Sequence, residues 1–174
     1  EWAGDFRGTE RASLDKITFG VSQDPDSAYN AFEAGEGDTA NIPPGRVQEA
    51  DENYATTLDV TILGSYHFNI NLRDPAIGGP KNLDLRKAVS LAIDRDEINE
   101  AVYDNTRTTS TGVTPEGIPG WKGDLCEYCA YDEAAAKAAF GAWTAAGNSQ
   151  AEPLRIQFNA GAGHEDVVQI IIDN

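Results

Sequence analysis

The feature that most constrains this chain is an apolar stripe that ends in a helix cap. Leu85, Ala88, Val89, Ala92 and Ile93 follow the spacing i, i+3, i+4, i+7, i+8, which places them on one face of a helix. Asp84 stands before the stripe as its N-cap. Asp94 follows directly, and Glu97 lies three residues further on, the spacing of a capping box. A second helix therefore starts where the first stops, with Ile98, Ala101 and Val102 as its buried face.

Around this pair, short alternating runs predict strands. Ile17, Phe19 and Val21 alternate over 16–21, and Asp38–Ile42 suggests another strand closed by Pro43-Pro44. Leu58, Val60 and Ile62 alternate, then Tyr66, Phe68 and Ile70, with Gly64-Ser65 between them. Leu154, Ile156 and Phe158 form a last run. Helices fill the gaps. Ser27–Ala34 carries Ala28, Ala31 and Phe32 at helical spacing, with Asp26 as N-cap and Gly35 as its stop. Glu133–Ala146 is Ala-rich, capped by Asp132 and ended by Gly147. A final helix begins near His164. Strands alternating with helices give an α/β chain. Residues 1–15 read as an opening loop, and 104–124 as a long irregular loop of the kind that wraps a surface or lines a site.

Composition narrows the function. With 13 Lys and Arg against 29 Asp and Glu, the net charge of -16 repels phosphate backbones, so a nucleic-acid partner is excluded. No apolar run reaches the roughly 18 residues that cross a bilayer. The chain opens at Glu1-Trp2, holds no Met, and closes on the apolar run from Val167 to Ile172. It reads as a piece of a longer protein, with any signal peptide or anchor upstream.

Few residues carry chemistry. Cys126 and Cys129 are the only cysteines. A helix follows them, so a redox pair is conceivable. However, no strand leads into them, and Asp132 takes the cap position. A zinc site would need two more ligands, and His67 and His164 are isolated in sequence. A structural disulfide or two quiet thiols is the plainer reading. Asp94-Arg95-Asp96-Glu97 reads as capping and helix-dipole compensation rather than a metal or acid–base cluster. Gly161-Ala162-Gly163 lacks the spacing and following Lys of a phosphate loop. No Ser/His/Asp arrangement or nucleophile elbow is present. Tyr66, His67, Phe68 and Asn69 form an aromatic and polar cluster. It is either a strand with Phe68 in the core or a segment lining a ligand cleft.

The motifs taken in order resemble one family. Phe68-Asn69-Ile70-Asn71, a Pro-containing loop, and then Leu85 to Ile98 resemble the "F-N" strand, loop and "R-x-A-x-x-x-A-I-D-R-x-x-I" helix pair of the family-5 extracellular solute-binding proteins. Leu14 to Phe19 resembles the family's strand, and Ala34 to Asp38 its "A-G-E-x-D" turn. Gly112 to Gly120 resembles its "P-x-G-x-P-G" loop, and Tyr131 to Lys137 its "Y-D-x-x-x-A-K" helix.

The resemblance implies a partial periplasmic-binding-protein type II fold made of pieces of two lobes. Residues 1–62 would be the returning part of the first lobe and 63–174 the first part of the second, with the crossover near Leu63–Phe68. It implies a non-enzymatic substrate-binding component of an ABC transporter without cofactor or metal. Such a protein sits in the periplasm or on the cell surface as a lipoprotein, and touches the membrane only through an upstream anchor or the permease subunits. Its ligand would be a peptide, a nickel complex, a sugar or a similar small molecule, contacted here by Tyr66, His67 and Asn69. The groups that hold a peptide's ends would lie outside this chain, so the chain alone should bind no small ligand tightly. In an exported protein Cys126 and Cys129 would be a disulfide. The alternative is a stand-alone carbohydrate-binding or interaction module without a transport role.

Overall fold

The structure is a computed structural model that describes residues 14–58, 62–150 and 152–174. Among the described residues there are six α-helices: α1 Pro25–Glu33, α2 Val47–Asn53, α3 Leu83–Ala92, α4 Arg95–Tyr103, α5 Glu133–Ala145 and α6 His164–Asp173. A 3-10 turn, Pro80–Asn82, leads into α3.

Two helix pairs carry the packing. The first is α3 against α5. It buries Leu85, Ala88 and Leu91 against Ala136 and Trp143. The buried face runs through Leu91, with Val89 half-buried at its margin, while Ile93 lies past the end of the helix, where the backbone is already extended. Asn82 sits at the top of this pair, 1% exposed. Its amide donates to the carbonyls of Pro75 (3.1 Å) and Gly78 (2.9 Å), and its oxygen accepts from Trp143 Nε1 at 3.0 Å. Full pairing removes the cost of burying an amide.

The second pair is α4 against α6. Ile98, Val102 and Val167 form its core, with Ile93, Tyr103, Ile170 and Ile171 around them. Ala101, expected on the buried face, is exposed, because α6 covers only the side that carries Ile98 and Val102. Gly163 makes the approach possible. Its φ is +77°, and a Cβ there would lie 2.8 Å from Val102 Cγ1.

The caps decide where helices start. Asp94 accepts from the N–H groups of Asp96 (3.1 Å) and Glu97 (3.0 Å), as its spacing predicts. The return bond of the box passes through a third residue. Asp94 N–H donates to Asn174 Oδ1 (2.8 Å), and Asn174 Nδ2 donates to Glu97 Oε2 (2.9 Å), tying the start of α4 to the end of α6. Asp132 caps α5 through Ala135 N–H at 2.8 Å. Two expected caps differ. Asp24, not Asp26, caps α1, because Pro25 takes the first helical position, where a missing N–H costs nothing. Asp84 lies inside the first turn of α3, paired with Lys87 at 3.0 Å, because the 3-10 turn starts the coil earlier.

α2 was not expected from the sequence pattern, since Val47–Asn53 is mostly polar and buries only Ala50. It is held by Arg46, whose guanidinium donates to both carboxylate oxygens of Glu49, to Glu33 and to Asn30, and lies 4.3 Å from the Tyr29 ring centre. Hydrogen bonds to Glu49 first, and then Glu33, hold Arg46 above its usual range.

The expected strands do not pair. Among the described residues there is no strand, and 16–21, 38–42, 66–70 and 154–158 make no backbone–backbone hydrogen bonds. In the 58–62 run, Asp59, Val60 and Thr61 lie outside the described residues, as do residues 1–13 of the opening loop. Phe19 is 84% and Val21 94% exposed, and Phe68, expected in the core, is 38% exposed. A strand cannot close its own hydrogen bonds, so an alternating pattern without a neighbouring strand stays open.

Candidate functional site

Tyr66, His67 and Asn69 lie on the segment between Gly64 and the loop 71–79. That loop is held from below. Arg86 Nη1 donates to the carbonyls of Ile77 (2.9 Å) and Gly79 (2.7 Å), beside the two bonds from Asn82. Asn71 and Asp74 side chains accept from Arg73 and Ala76 N–H groups and shape the turn. The "F-N" segment therefore runs into a loop fixed on α3.

The three residues do not converge. Tyr66 is 51% exposed, and its ring meets Phe68 edge-on at 5.6 Å. Its oxygen lies 3.0 Å from His164 Nδ1, and the two rings stack at 5.3 Å with a 12° tilt. Burial first, and then Tyr103 nearby, raise the Tyr66 phenol above its usual range. His67 turns back on its own segment, with Nδ1 3.4 Å from Ser65 Oγ and 3.3 Å from Ser65 O. Asn69 is exposed. His164, isolated in sequence, is thus the residue brought to Tyr66, from the start of α6.

Cys126 and Cys129 lie at disulfide-bonding distance, Cα to Cα 5.3 Å. Their loop is stitched to the junction of α3 and α4. Cys126 N–H donates to Thr111 O (2.9 Å), Ser90 Oγ to Tyr128 O (2.6 Å), and Asp132 N–H to Leu91 O (2.9 Å). Arg95 Nη1 donates to the carbonyls of Cys129 (2.8 Å), Ser90 (3.1 Å) and Ile93 (3.1 Å). Burial pulls the Arg95 guanidinium below its usual range. In the Asp94–Glu97 run, Asp94 is a cap and Arg95 a clamp on the loop.

Among the described residues, two of the clefts lie away from Tyr66, His67 and Asn69. One, of about 300 Å³, is lined by Asp24, Asp26, Pro44, Gly163, Glu165 and Asp166 among others. The other, of about 460 Å³, lies between α2 and the end of α4. Among the described residues, no group of three or more His, Cys, Asp and Glu is arranged to hold a metal. No helix among them is long and apolar enough to cross a membrane.

No local spacing marks Arg86, Asn82 or His164 as positioning residues. Asn82 and Trp143 are polar-tipped residues whose partners lie far away in the chain, so no spacing rule joins them. Arg86 stood inside the recognised motif, but nothing in the motif says that its partners are loop carbonyls.

The chain belongs to the bacterial extracellular solute-binding proteins, family 5 (middle), whose profile matches residues 2–174. It is similar to the dipeptide-binding protein DppE of Bacillus subtilis, 31% identical over 63% of this chain and 19% of that protein. It is 25% identical to the probable deoxycholate-binding periplasmic protein YgiS of Escherichia coli, over 67% of this chain and 21% of that protein. It is 26% identical to the periplasmic oligopeptide-binding protein OppA of Haemophilus influenzae, over 88% of this chain and 29% of that protein. The chain thus spans from 19% to 29% of the length of these relatives.

Proposed function

We propose that this chain is part of the substrate-binding component of an ABC importer, which captures peptides or similar small solutes outside the membrane and hands them to permease subunits. The observation that carries this is the family match over residues 2–174, joined to two relatives whose names specify a dipeptide and an oligopeptide. The role is binding and release, not catalysis. It places the protein in the periplasm or on the cell surface, where Cys126 and Cys129 persist as a disulfide.

The fold proposed for the whole protein is the two-lobe periplasmic-binding-protein type II arrangement. Residues 1–62 belong to the first lobe, 63–174 begin the second, and the crossover lies near Leu63–Phe68. The unpaired alternating segments support this reading. Ile17, Phe19, Ile70, Ile156 and Phe158 expose an apolar pattern that a sheet completed by other parts of the protein would cover. Tyr66, His67 and Asn69 are the solute-facing residues proposed within this chain. Since a two-lobe binder buries its solute between both walls, this chain alone binds none tightly.

The relative named for deoxycholate supports a second solute class, an amphipathic steroid acid. Calorimetry of the full-length protein against dipeptides, oligopeptides, deoxycholate, a nickel complex and a sugar panel separates the classes. Peptide binding at micromolar Kd or tighter is the expected result. Binding of deoxycholate alone would replace the peptide reading, and binding of none would remove the transport reading. Micromolar binding by residues 1–174 alone would contradict a site shared between two lobes.

A further inference from the structure

α6 is firmly seated, and His164 is its first residue. Val167 is buried between Ile98 and Val102. The turn before the helix is fixed by the Gly163 backbone at φ +77°, against Val102, and by Gly161 N–H donating to Glu165 Oε1 at 2.8 Å. The imidazole therefore projects from a backbone with little freedom. It lies flat on Tyr66, and its Nδ1 is within hydrogen-bond distance of the phenol oxygen.

Tyr66 has no comparable seat of its own. It is half exposed, and among the described residues its phenol makes one side-chain hydrogen bond, to His164. A tyrosine in that position would ordinarily sample several staggered rotamers. Stacking and a hydrogen bond from one partner ring select among them. We propose that His164 is a positioning residue for Tyr66, holding the phenol in one orientation so that its ring meets an apolar or aromatic group of the solute.

This rests on the reading of Tyr66 as a solute-facing residue. An oriented ring loses less freedom when a solute arrives, which strengthens binding without a new contact. When the imidazole carries its proton on Nε2, the phenol donates its only proton to Nδ1. The hydroxyl then serves orientation, and the ring serves recognition.

The test uses the full-length protein with selectively labelled tyrosine, reading the Tyr66 χ1 rotamer from three-bond couplings by NMR. Tyr66 is expected in one rotamer in the wild type and averaged in His164→Ala. In His164→Phe, which keeps a stacked ring without the hydrogen bond, averaging is expected to be partial. A single Tyr66 rotamer in His164→Ala would overturn the proposal, and so would averaging already present in the wild type. A second arm titrates the peptides alanyl-phenylalanine and trialanine by calorimetry. His164→Ala is expected to raise Kd by about 3- to 10-fold, the scale of one net hydrogen bond, with part of the loss recovered in His164→Phe. An unchanged Kd in His164→Ala, where Tyr66→Ala weakens binding, would overturn the role in recognition. If neither peptide binds the wild type, the peptide reading fails, while the rotamer measurement still decides whether His164 orients Tyr66.

Discussion

α3 and the segment 66–70 are close neighbours in the sequence, and both carry a clear apolar pattern. One is a helix packed on α5 with a buried polar network above it. The other is exposed along its length and makes no backbone–backbone hydrogen bonds among the described residues. The difference lies in where each element finds its hydrogen bonds. A helix closes them within itself, so Leu83–Ala92 needs only a second apolar face. A strand takes them from another strand, and alternation says nothing about where that strand is. The helical part of this chain is therefore settled by its own residues, while the alternating part, to be strand, would need a partner.

The largest expected effect is in the helical half. Trp143→Ala should destabilise the protein by about 3–5 kcal/mol, as a large aromatic leaves a close-packed site. Asn82→Ala should cost about 1–3 kcal/mol, because Trp143 Nε1 and the carbonyls of Pro75 and Gly78 then lose their partner. Urea denaturation measures both, and a cost under about 1 kcal/mol for Trp143→Ala would remove the α3–α5 pair from the core.

A smaller effect is expected at the start of α4. Asp94→Ala should cost about 1 kcal/mol through loss of the cap. It leaves Asp94's own backbone bond to Asn174 in place, so Asn174→Ala should add a separate, smaller loss in the same denaturation series. If the two losses prove identical and non-additive, the side chains act as one unit.

Acid should weaken the turn before α6. The Glu165 carboxyl is held below its ordinary 4.5, first by the Gly161 N–H and then by its own backbone N–H. A depressed carboxylate contributes stability that is present above the unfolded value and lost as pH falls through the folded one. Glu165→Gln should therefore lower Tm slightly at neutral pH, with the difference from wild type shrinking below about pH 4.5. A difference that grows in acid would reverse the assigned sign.

The smallest effect is expected in the alternating half. Phe19→Ser or Val21→Ser should change the stability of residues 1–174 by no more than about 0.5 kcal/mol, since neither side chain is packed. A loss above about 1 kcal/mol in thermal unfolding would mean that these side chains already have a partner within this chain.

What could be read from the sequence follows the same division. The Asp94 cap, the Asp132 cap and the stop at Gly147 depend on residues within a few positions of one another and are found there, while the stripe keeps Leu85 and Ala88 buried but passes through Leu91 in place of Val89 and Ile93. The shift from Asp26 to Asp24 shows how one proline moves a boundary. α2 has no legible pattern because it is polar and held by Arg46, whose partners Asn30 and Glu33 lie in another helix. The Tyr66–His164 couple spans most of the chain, and no local spacing joins those residues. Tyr66, His67 and Asn69 were legible as a cluster of residue types, but not as a geometry.

Hydrogen exchange on the full-length protein and on residues 1–174 alone tests the central claim most directly. In both, amides of α3 and α5 should be protected. The amides of 17–21, 66–70 and 154–158 should exchange freely in the shorter chain and become protected in the full-length protein, where a sheet supplies their partners. Free exchange of these segments in the full-length protein would contradict the account, because the alternating pattern would then have no strand to pair with.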